Sequence, residues 1–491
     1  MMKKLLFNTL FFFLFPLAVW ATPRLTVVVL VDGLNTTGLN EMRQYWPEGG
    51  LRTLAEEAYQ TTLRFPHLVY GGDETTASLM TGVAPSEHGV SMNHCFVRQD
   101  RKVHSLLEDS HEKGIGTYLH FSPRALLAPT ITDNWRMRIG RDAKIYAVGI
   151  HPETTILLAG HAADACCWLG GVNPYDALHW VSTSFYRAGL PAEADEMNVN
   201  GRVAEISQRE WKPRMDISMY NHPTDKEKRS SFSYRSQDVL LTSPAANALV
   251  VELALSIQKH QHLGEDLTPD LLMLEMTTRT PKATSDQILS AEQEDMYLSL
   301  NQEIGFLMEQ LTRRVGAEHF ELVVMGKPAL GISHETMALV GMPVQQFSVD
   351  RAAALTATYL MAIYGHERWV DGGYGQSIFL NRTLIEQKRL SIETMQRQVA
   401  NFLMEFEGVK CAYPASEIHA NPQLHNSLNK RSLGDVAFSL QSGWQLVYEE
   451  QTPIDHVIDL DPEIPLLYWS RSRMAFPEGE MTIRQINKLI Q

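Results

Sequence analysis

Apolar and polar positions fall into long separate blocks along this chain. The first block after the amino-terminal segment is the β-branched and apolar run from Leu25 to Val31, which is followed directly by Asp32 and Gly33. Such a run, without regular polar alternation, is typical of a strand that is buried on both faces of a parallel sheet. We therefore predict a central parallel strand that ends at Asp32.

Helical and strand patterns alternate along the rest of the chain. Leu51, Leu54 and Ala58 recur with the spacing of one helix face. The predicted strands cover Tyr59–Phe65, Leu271–Met276, Phe320–Met325, Trp369–Leu380 and Val436–Val447, and the predicted helices cover Asp73–Met80, Ala245–Gln258, Asp295–Val315 and Ile392–Phe406. Asp73 is expected to cap its helix. The alternation predicts an α/β fold, with a doubly wound, mostly parallel sheet and helices on both faces.

The middle of the chain breaks this regularity. Residues from about 90 to 237 are rich in Gly, Trp, Tyr and Pro and lack a clean period. We predict a cap-like insert there, within a single α/β domain over residues 22–491. Trp168, Trp180 and Tyr186 could line a binding surface of this cap, although core packing is the commoner use of aromatic residues.

The amino-terminal segment has the pattern of a secretory signal peptide. Lys3 and Lys4 precede an apolar stretch that ends near Trp20, and Ala21 fits a signal-peptidase site. We predict a signal peptide over residues 1–21 and an exported protein, periplasmic or secreted, with a membrane anchor as the alternative. No later apolar run reaches the about 18 residues that a transmembrane helix needs, so we expect none after cleavage.

The charge balance excludes one class of partner. The chain has 43 Lys and Arg against 57 Asp and Glu, a formal net charge of −14 at pH 7. A nucleic-acid-binding protein needs a basic face that replaces the counterions of the phosphates. We therefore expect no nucleic-acid partner.

Four cysteines are present: Cys95, Cys166, Cys167 and Cys411. They lack the paired spacing of a zinc site. An even number in an exported chain permits disulfides, but the adjacent Cys166 and Cys167 could pair only with strain. We predict buried thiols.

Asp32 lies where open α/β sheets gather functional residues, and a carboxylate there suits a hard metal ion or simply a turn. The motifs around it resemble the alkaline phosphatase superfamily, in particular the phosphate-irrepressible monoesterases of Bacteroidota. Besides Asp32, the motifs that carry this resemblance are Ala77–Gly82, His88–Gly89, Asn93, Leu158–Asp164, Leu263–Leu272, Glu292–Tyr297 and Arg431–Asp435. The resemblance covers nearly all of the chain after residue 22 and implies the same fold.

In that superfamily two Zn²⁺ ions hold a Thr or Ser nucleophile and the phosphoryl group. The resemblance places the nucleophile position on Gly72, which has no hydroxyl, and Thr75 or Thr76 would need a shift in register to replace it. The zinc-ligand positions other than Asp32 are substituted by Thr280, Thr284, Gly326, Lys327 and Glu463. Zinc therefore has few ligands left.

The phosphate-binding positions are also changed. The Lys and Arg that the superfamily uses correspond to His151 and Glu153, and a carboxylate would repel a phosphate. Asn93 is kept. Asp32 and Asn93 are thus interpreted as vestigial parts of a lost site.

The resemblance together with these substitutions favours a degenerate homologue that binds a small ligand or an envelope protein. A phosphomonoesterase or phosphodiesterase with a relocated nucleophile and an altered metal site is one alternative, and a structural or assembly role in the cell envelope is another. No cofactor is expected. Alternatively, Asp32 and Glu463, with Asp73 and Glu74 nearby, could hold a single Ca²⁺ or Mg²⁺, and two Zn²⁺ would be expected only if the degenerate reading is wrong.

Overall fold

The computed structural model describes residues 23–68, 72–173, 176–220, 237–280, 289–327, 341, 345–441, 443–448, 464–472, 476 and 479–490. The predicted signal peptide lies outside the described residues, and so do Thr284 and Glu463. Within these ranges, no helix is long and apolar enough to cross a membrane.

Strands and helices alternate through most of the chain. In chain order the strands are β1 (Leu25–Asp32), β2 (Tyr59–Arg64), β3 (His94–Val97), β4 (Lys102–Ser105), β5 (Gly114–Ile115), β6 (Ile145–Gly149), β7 (Ala165–Gly170), β8 (His179–Thr183), β9 (Asp270–Thr277), β10 (Phe320–Lys327), β11 (Gln345–Ser348), β12 (Val370–Tyr374), β13 (Ser377–Leu380), β14 (Val409–Pro414), β15 (Val436–Leu440), β16 (Trp444–Val447), β17 (Ile464–Ser470) and β18 (Met481–Thr482). The helices are α1 (Thr36–Met42), α2 (Gly50–Glu57), α3 (Asp73–Thr81), α4 (Pro85–His88), α5 (Ile131–Ile139), α6 (Pro152–Ala159), α7 (Ala192–Val199), α8 (Arg202–Ser207), α9 (Gln237–Leu241), α10 (Pro244–Gln261), α11 (Ala291–Arg314), α12 (Val349–Tyr364), α13 (Arg382–Gln387), α14 (Ile392–Leu403), α15 (Pro422–Ser427) and α16 (Ile483–Leu489).

Strand β1 lies in the middle of a ten-stranded sheet. The strand order is β18-β2-β17-β10-β1-β9-β6-β7-β8-β5. β1 is parallel to both of its neighbours, and β9, β6 and β7 continue the parallel set, whereas β17 and β8 are antiparallel to their neighbours. β1 is buried along its whole length. The predicted central parallel strand is therefore confirmed.

Helices cover both faces of this sheet. Val27 and Val29 belong to the core beneath α2, α10 and α11, whereas Val28 and Leu30 belong to the core beneath α3, α6 and α16. Successive side chains of a strand point to opposite faces, so one uninterrupted apolar strand supplies both cores. The doubly wound α/β fold predicted from the sequence is confirmed.

A second, smaller sheet is built by the later part of the chain. It has the order β12-β13-β15-β14, and a separate apolar core joins it to α12 and α14. Two predicted long strands, Trp369–Leu380 and Val436–Val447, are each two strands in the structure. Gly375 and Gly443 interrupt them with φ angles of 56° and 84°, which glycine adopts without strain.

The predicted cap over residues 90–237 is wrong in its main part. Strands β5, β6, β7 and β8 extend the central sheet, and the hairpin of β3 and β4 forms a small sheet of its own. These strands show no period because β6 and β7 are buried along nearly their whole length and so lack polar alternation, and β5 has only two residues. Trp168 and Trp180 are fully buried in the two cores rather than exposed on a binding surface.

No disulfide joins the four cysteines, all of which lie in described parts of the chain. Cys166 and Cys167 are buried in β7, and burial raises the pKa of the Cys167 thiol to about 12. The predicted buried thiols are confirmed for this pair, while Cys95 and Cys411 are partly exposed.

Candidate functional site

The carboxyl ends of β1, β9 and β10 meet at one edge of the sheet. In the strand register, Asp32 lies beside Thr277 of β9 and Lys327 of β10. Gly33 then turns the chain with a φ angle of 86°, and a Cβ at this position would lie 2.8 Å from Thr278 Oγ1. Since open α/β sheets carry their sites at this edge, Asp32 lies where the sequence predicts it.

Asp32 forms an ion pair inside the protein. Arg279 Nε lies 2.6 Å from Asp32 Oδ2, and the two side chains are 20% and 11% exposed. The turn after β9 positions Arg279, since its backbone N–H donates to Thr277 Oγ1 at 2.9 Å. The second carboxylate oxygen, Asp32 Oδ1, is buried and has no hydrogen-bond partner among the described residues. A guanidinium thus contacts one carboxylate oxygen, and the other oxygen is left without a donor.

Other cations also act on Asp32. Burial would raise the pKa of Asp32, but the charges of Arg279, Lys327 and His151 outweigh burial and hold it below its ordinary value. Lys327 is buried, and its Nζ donates to Thr154 Oγ1 at 3.3 Å. An ammonium group therefore lies near a carboxylate that the superfamily resemblance assigns to a metal.

Glu275 holds the imidazole of His151 in place. One oxygen of Glu275 accepts from the backbone N–H groups of Ile150 and His151 at 2.9 and 2.8 Å and from the Thr155 hydroxyl at 3.1 Å. The other accepts from His151 Nδ1 at 2.8 Å. Burial acts to lower the pKa of His151, but Glu275 and then Asp32 outweigh burial and raise it. Glu275 thus orients the imidazole, and the raised pKa shifts it towards its charged form.

Glu153 lies close to the same imidazole. Burial raises the pKa of Glu153, and the nearby His151 and His94 offset part of that rise. The two positions that the resemblance assigns to phosphate binding therefore hold an imidazole whose pKa is raised and a carboxyl group whose pKa burial raises.

Helix α3 begins at the predicted nucleophile position. The backbone N–H of Asp73 donates to Asn93 Oδ1 at 2.8 Å, and the backbone N–H of Gly72 donates to Glu74 Oε1 at 3.2 Å. The predicted cap at Asp73 is wrong, because Gly72 is the N-cap residue and a distant side chain, Asn93, accepts the hydrogen bond. A Cβ at position 72 would lie 2.5 Å from Asn93 Oδ1 and 2.7 Å from Glu74 Oε2. The space for a nucleophilic side chain is therefore filled.

Thr75 and Thr76, the two weak candidates for a relocated nucleophile, are completely buried. Thr75 Oγ1 donates to Glu74 Oε1 at 2.7 Å, whereas Thr76 Oγ1 has no partner among the residues described. Thr280 follows β9 at a position that the resemblance assigns to a metal ligand, and its buried Oγ1 also lacks a partner within the described ranges. Asp32 Oδ1 and the hydroxyls of Thr76 and Thr280 are thus buried polar groups without a hydrogen-bond partner among the described residues.

The described residues offer few metal ligands. No group of three or more His, Cys, Asp or Glu side chains in the described part of the chain could hold a metal ion. Gly326 lies in β10, where a Cβ would lie 2.3 Å from the Leu34 carbonyl oxygen, so close packing explains this glycine. Thr284 and Glu463, the remaining predicted positions, lie outside the described residues.

Helix α3 also carries a buried polar chain that we did not predict. The Val90 N–H donates to His88 Nδ1 at 3.2 Å, so His88 Nε2 carries the proton that it donates to Ser78 Oγ at 2.9 Å. Ser78 in turn donates to His67 Nε2 at 2.9 Å, and His67 Nδ1 donates to the Leu68 carbonyl at 2.7 Å. Burial lowers the pKa of His67 to about 4 and that of His88 to about 3. Both imidazoles are therefore neutral at pH 7.

Two residues of the cleft were missed from the sequence. Glu275 is the one charged residue in the apolar run from Leu271 to Met276, and a buried charge in such a run requires partners, so a signal was present. Arg279 follows the end of β9 by two residues. Its position near Asp32 could be expected from converging strand ends, but its side-chain direction depends on the turn.

A ten-stranded, mostly parallel sheet with charged side chains at the carboxyl ends of β1, β6, β9 and β10 is an alkaline phosphatase-like α/β architecture. The comparison with known families agrees with this class. The chain belongs to the type I phosphodiesterase / nucleotide pyrophosphatase family, whose family model matches residues 26–459.

Relatives and solved structures lead to the same group. Alkaline phosphatase PafA of Elizabethkingia meningoseptica is 21% identical over 91% of this chain and 86% of its own length. Alkaline phosphatase PhoV of Synechococcus elongatus is 22% identical over 88% of this chain and 82% of its own length. The crystal structure of PafA superposes with a TM-score of 0.81 and 19% identity, covering 95% of this chain and 94% of that one. The predicted resemblance and fold are confirmed.

Proposed function

We propose that this protein binds a small ligand or an envelope partner through a cleft in which organic cations replace metal ions, and that it does not hydrolyse phosphate esters with zinc. The Arg279–Asp32 ion pair at 2.6 Å carries this proposal. A guanidinium contacts the one carboxylate that survives from the superfamily's ligand set, with Lys327 beside it in the strand register.

The donor atoms support the same conclusion. Zinc in proteins prefers thiolate, imidazole and carboxylate ligands, whereas the described positions hold Thr280, Gly326 and Lys327. Asp32 Oδ1 is a buried oxygen without a partner among the described residues, so it offers at most one ligand. These residues do not fit a pair of zinc ions. The buried Asp32 Oδ1 instead suits a ligand that donates a hydrogen bond, whereas the hydroxyls of Thr76 and Thr280 can donate or accept one.

The direct test measures zinc content and turnover together. Purified protein is analysed by mass spectrometry for zinc and assayed with an aryl phosphate monoester and diester at alkaline pH. We expect no stoichiometric zinc and a rate equal to that of Asp32→Asn prepared in the same way. Two zinc ions per chain, with turnover that Asp32→Asn lacks, would overturn the proposal.

A second test asks whether Arg279 takes the place of a cation. In Arg279→Ala the carboxylate of Asp32 loses its partner, so added Zn²⁺ or Ca²⁺ should raise the melting temperature of this variant and leave the wild type unchanged. Arg141→Ala, which removes an exposed arginine, is the matched control. A melting temperature of the wild type that rises with Ca²⁺ would instead favour the single-ion site near Asp32 and Glu463.

A phosphatase with a relocated nucleophile is the second candidate function. Membership of the family and the 21–22% identity to proteins named alkaline phosphatases favour it. Thr75 and Thr76 lie in the first turn of α3, next to the former nucleophile position. Thr75→Val and Thr76→Val keep the shape of the side chain and remove the hydroxyl. A wild-type rate that one of them abolishes would establish this candidate.

Export completes the proposal. The signal-peptide pattern over residues 1–21 supports a periplasmic or secreted protein, and a structural or assembly role in the envelope would need the same location. Fractionation of cells that produce the full chain, with sequencing of the mature amino terminus, tests this. Intact residues 1–21 on a cytoplasmic product would contradict it.

A further inference from the structure

A cavity of about 790 Å³ lies between helices α7, α10 and α11, with part of α8 at its border. None of its lining residues belongs to the carboxyl edge of the sheet. Met197, Leu255 and Phe306 line it together with several carboxylates, and it opens to solvent. Phe306 is 48% exposed.

Glu193 is the strongest sign of a ligand in this cavity. The residue is 3% exposed, and its Oε1 accepts a hydrogen bond from Gln261 Nε2 at 2.7 Å. Its Oε2 is buried without a hydrogen-bond partner among the described residues. A buried carboxylate oxygen without a donor is costly, so this one is suited to a donor from outside the chain.

The other carboxylates of the cavity leave negative charge unbalanced. Glu252 is paired with Arg202 at 2.9 Å. Within the described ranges, Glu193, Glu196 and Glu303 take part in no ion pair. Burial raises the pKa of Glu303 to about 7, against the lowering effect of Arg214 and with a further rise from Glu252. A bound cation would favour the charged form of this carboxyl group.

Three cationic side chains, Arg202, Lys259 and Arg314, also line the cavity, and part of their hydrogen-bonding capacity is already used. Arg202 also pairs with Glu205 at 2.6 Å, and Arg314 Nη1 donates to the Leu255 carbonyl oxygen at 2.9 Å. Lys259 is exposed, so water solvates its charge. The buried side of the cavity therefore favours a positive ligand.

We propose that this cavity binds an organic ammonium ion that carries an apolar segment. An ammonium group supplies three donors, which suit Glu193 Oε2 and Glu303. The exposed Phe306 ring attracts a cation over its face and covers an apolar chain. A bare metal ion fits less well, because no group of three or more His, Cys, Asp or Glu side chains that could hold one occurs in the described part of the chain.

The proposal is tested by calorimetric titration of the purified protein with hexylammonium, hexanol and hexanoate. We expect binding of hexylammonium that is at least about tenfold tighter than that of the neutral and anionic analogues, as for a charge-assisted hydrogen bond. Equal affinity for hexylammonium and hexanol, or no measurable binding of hexylammonium, would overturn it. A second titration uses Nα-acetyl-lysine methylamide. If it binds more tightly than hexylammonium, the ligand is a lysine side chain, and if it binds more weakly, the ligand is a free amine.

Glu193→Gln keeps the size of the side chain and removes its charge, and should weaken hexylammonium binding about tenfold. Phe306→Ala should weaken hexylammonium binding severalfold. Because this side chain is half-exposed, the variant should fold even if Glu193→Gln folds poorly. Glu386→Gln, an exposed change on α13, should leave the affinity unchanged. Unchanged affinity in both cavity variants would contradict the proposal. The zinc and turnover assays of the cleft are independent of these results.

Discussion

Asp295 and Asp32 are both buried aspartates with an arginine partner, but their surroundings differ. Asp295 on α11 accepts from Trp211 Nε1 at 2.6 Å and from the Tyr220 hydroxyl at 2.7 Å. The backbone N–H and Nη1 of Arg214 also donate to it, each at 2.7 Å. Asp32 has the single arginine contact on Oδ2, and its Oδ1 has no partner among the described residues.

This difference separates scaffold from site. Buried polar groups in a scaffold are mostly hydrogen-bonded, because a donor or acceptor without a partner costs free energy, although Nε1 of Trp168 and of Trp180 has no partner among the described residues. A buried polar group that lacks part of its hydrogen bonds is either retained for another reason or completed by the hydrogen bonds of a ligand. The helix-packed Asp295 belongs to the first kind, and Asp32 at the sheet edge belongs to the second.

The largest loss of stability should come from the fully hydrogen-bonded network around Asp295. Asp295→Ala removes the acceptor for Trp211, Tyr220 and Arg214 and should lower the free energy of unfolding by about 3–5 kcal/mol. Chemical denaturation measures it, with Asp142→Ala, an exposed aspartate, as a control that should change it by less than about 0.5 kcal/mol. A loss below about 1 kcal/mol for Asp295→Ala would break the distinction between the two aspartates.

Low pH should destabilise the protein through the buried histidines of the scaffold, His67 and His88. The folded pKa values of His67 and His88 are about 4 and about 3, below the ordinary 6.5. The unfolded chain therefore binds more protons below pH 6.5, so stability is full above that pH and falls as the pH drops towards 4. In His88→Gln the amide can still donate to Ser78. Between pH 6.5 and 4, the free energy of unfolding of this variant should fall by about 2–3 kcal/mol less than that of the wild type.

Urea denaturation at pH 6.5, 5 and 4 measures this difference. The carboxylate of Asp32 should contribute little in this window, because its folded pKa is below the ordinary value of 3.8 and its stabilisation is lost only as the pH falls below that value. An identical pH dependence in wild type and His88→Gln would show that the acid sensitivity arises elsewhere.

The sequence predicted the sheet better than the site. The apolar run of β1 specifies a strand with two buried faces, and Val28 and Val29 indeed enter opposite cores. The ion pair of Asp32 could not be predicted, because the direction of Arg279 is set by a turn that is fixed only when β1 and β9 are aligned. The strands of residues 90–237 were missed for local reasons: β5 has two residues, too few to show a period, and β6 and β7 are buried along nearly their whole length, so they show no polar alternation.

The start of α3 gives the next smaller effect. Gly72→Ala places a Cβ against Asn93 and Glu74 and disturbs the hydrogen bond that Asn93 accepts from the helix. This substitution should therefore lower the free energy of unfolding by about 2 kcal/mol. Gly189→Ala is the matched control, because a Cβ there meets nothing within 4 Å, and it should be neutral or slightly stabilising. Thermal unfolding compares the two. A neutral Gly72→Ala would show that the former nucleophile position still has room for a side chain.

The smallest effect should lie in the cleft pair itself, where a double-mutant cycle of Asp32→Asn and Arg279→Gln isolates the contact. We expect a coupling energy of about 1 kcal/mol, because one carboxylate oxygen is unmet and both side chains retain some exposure to water. A cycle of Asp295→Asn and Arg214→Gln should give about 3 kcal/mol, since that pair is enclosed by further donors. A coupling near zero for Asp32 and Arg279 would mean that the guanidinium does not neutralise the carboxylate, which would then be available to a metal ion, and the replacement of metal by Arg279 would be contradicted.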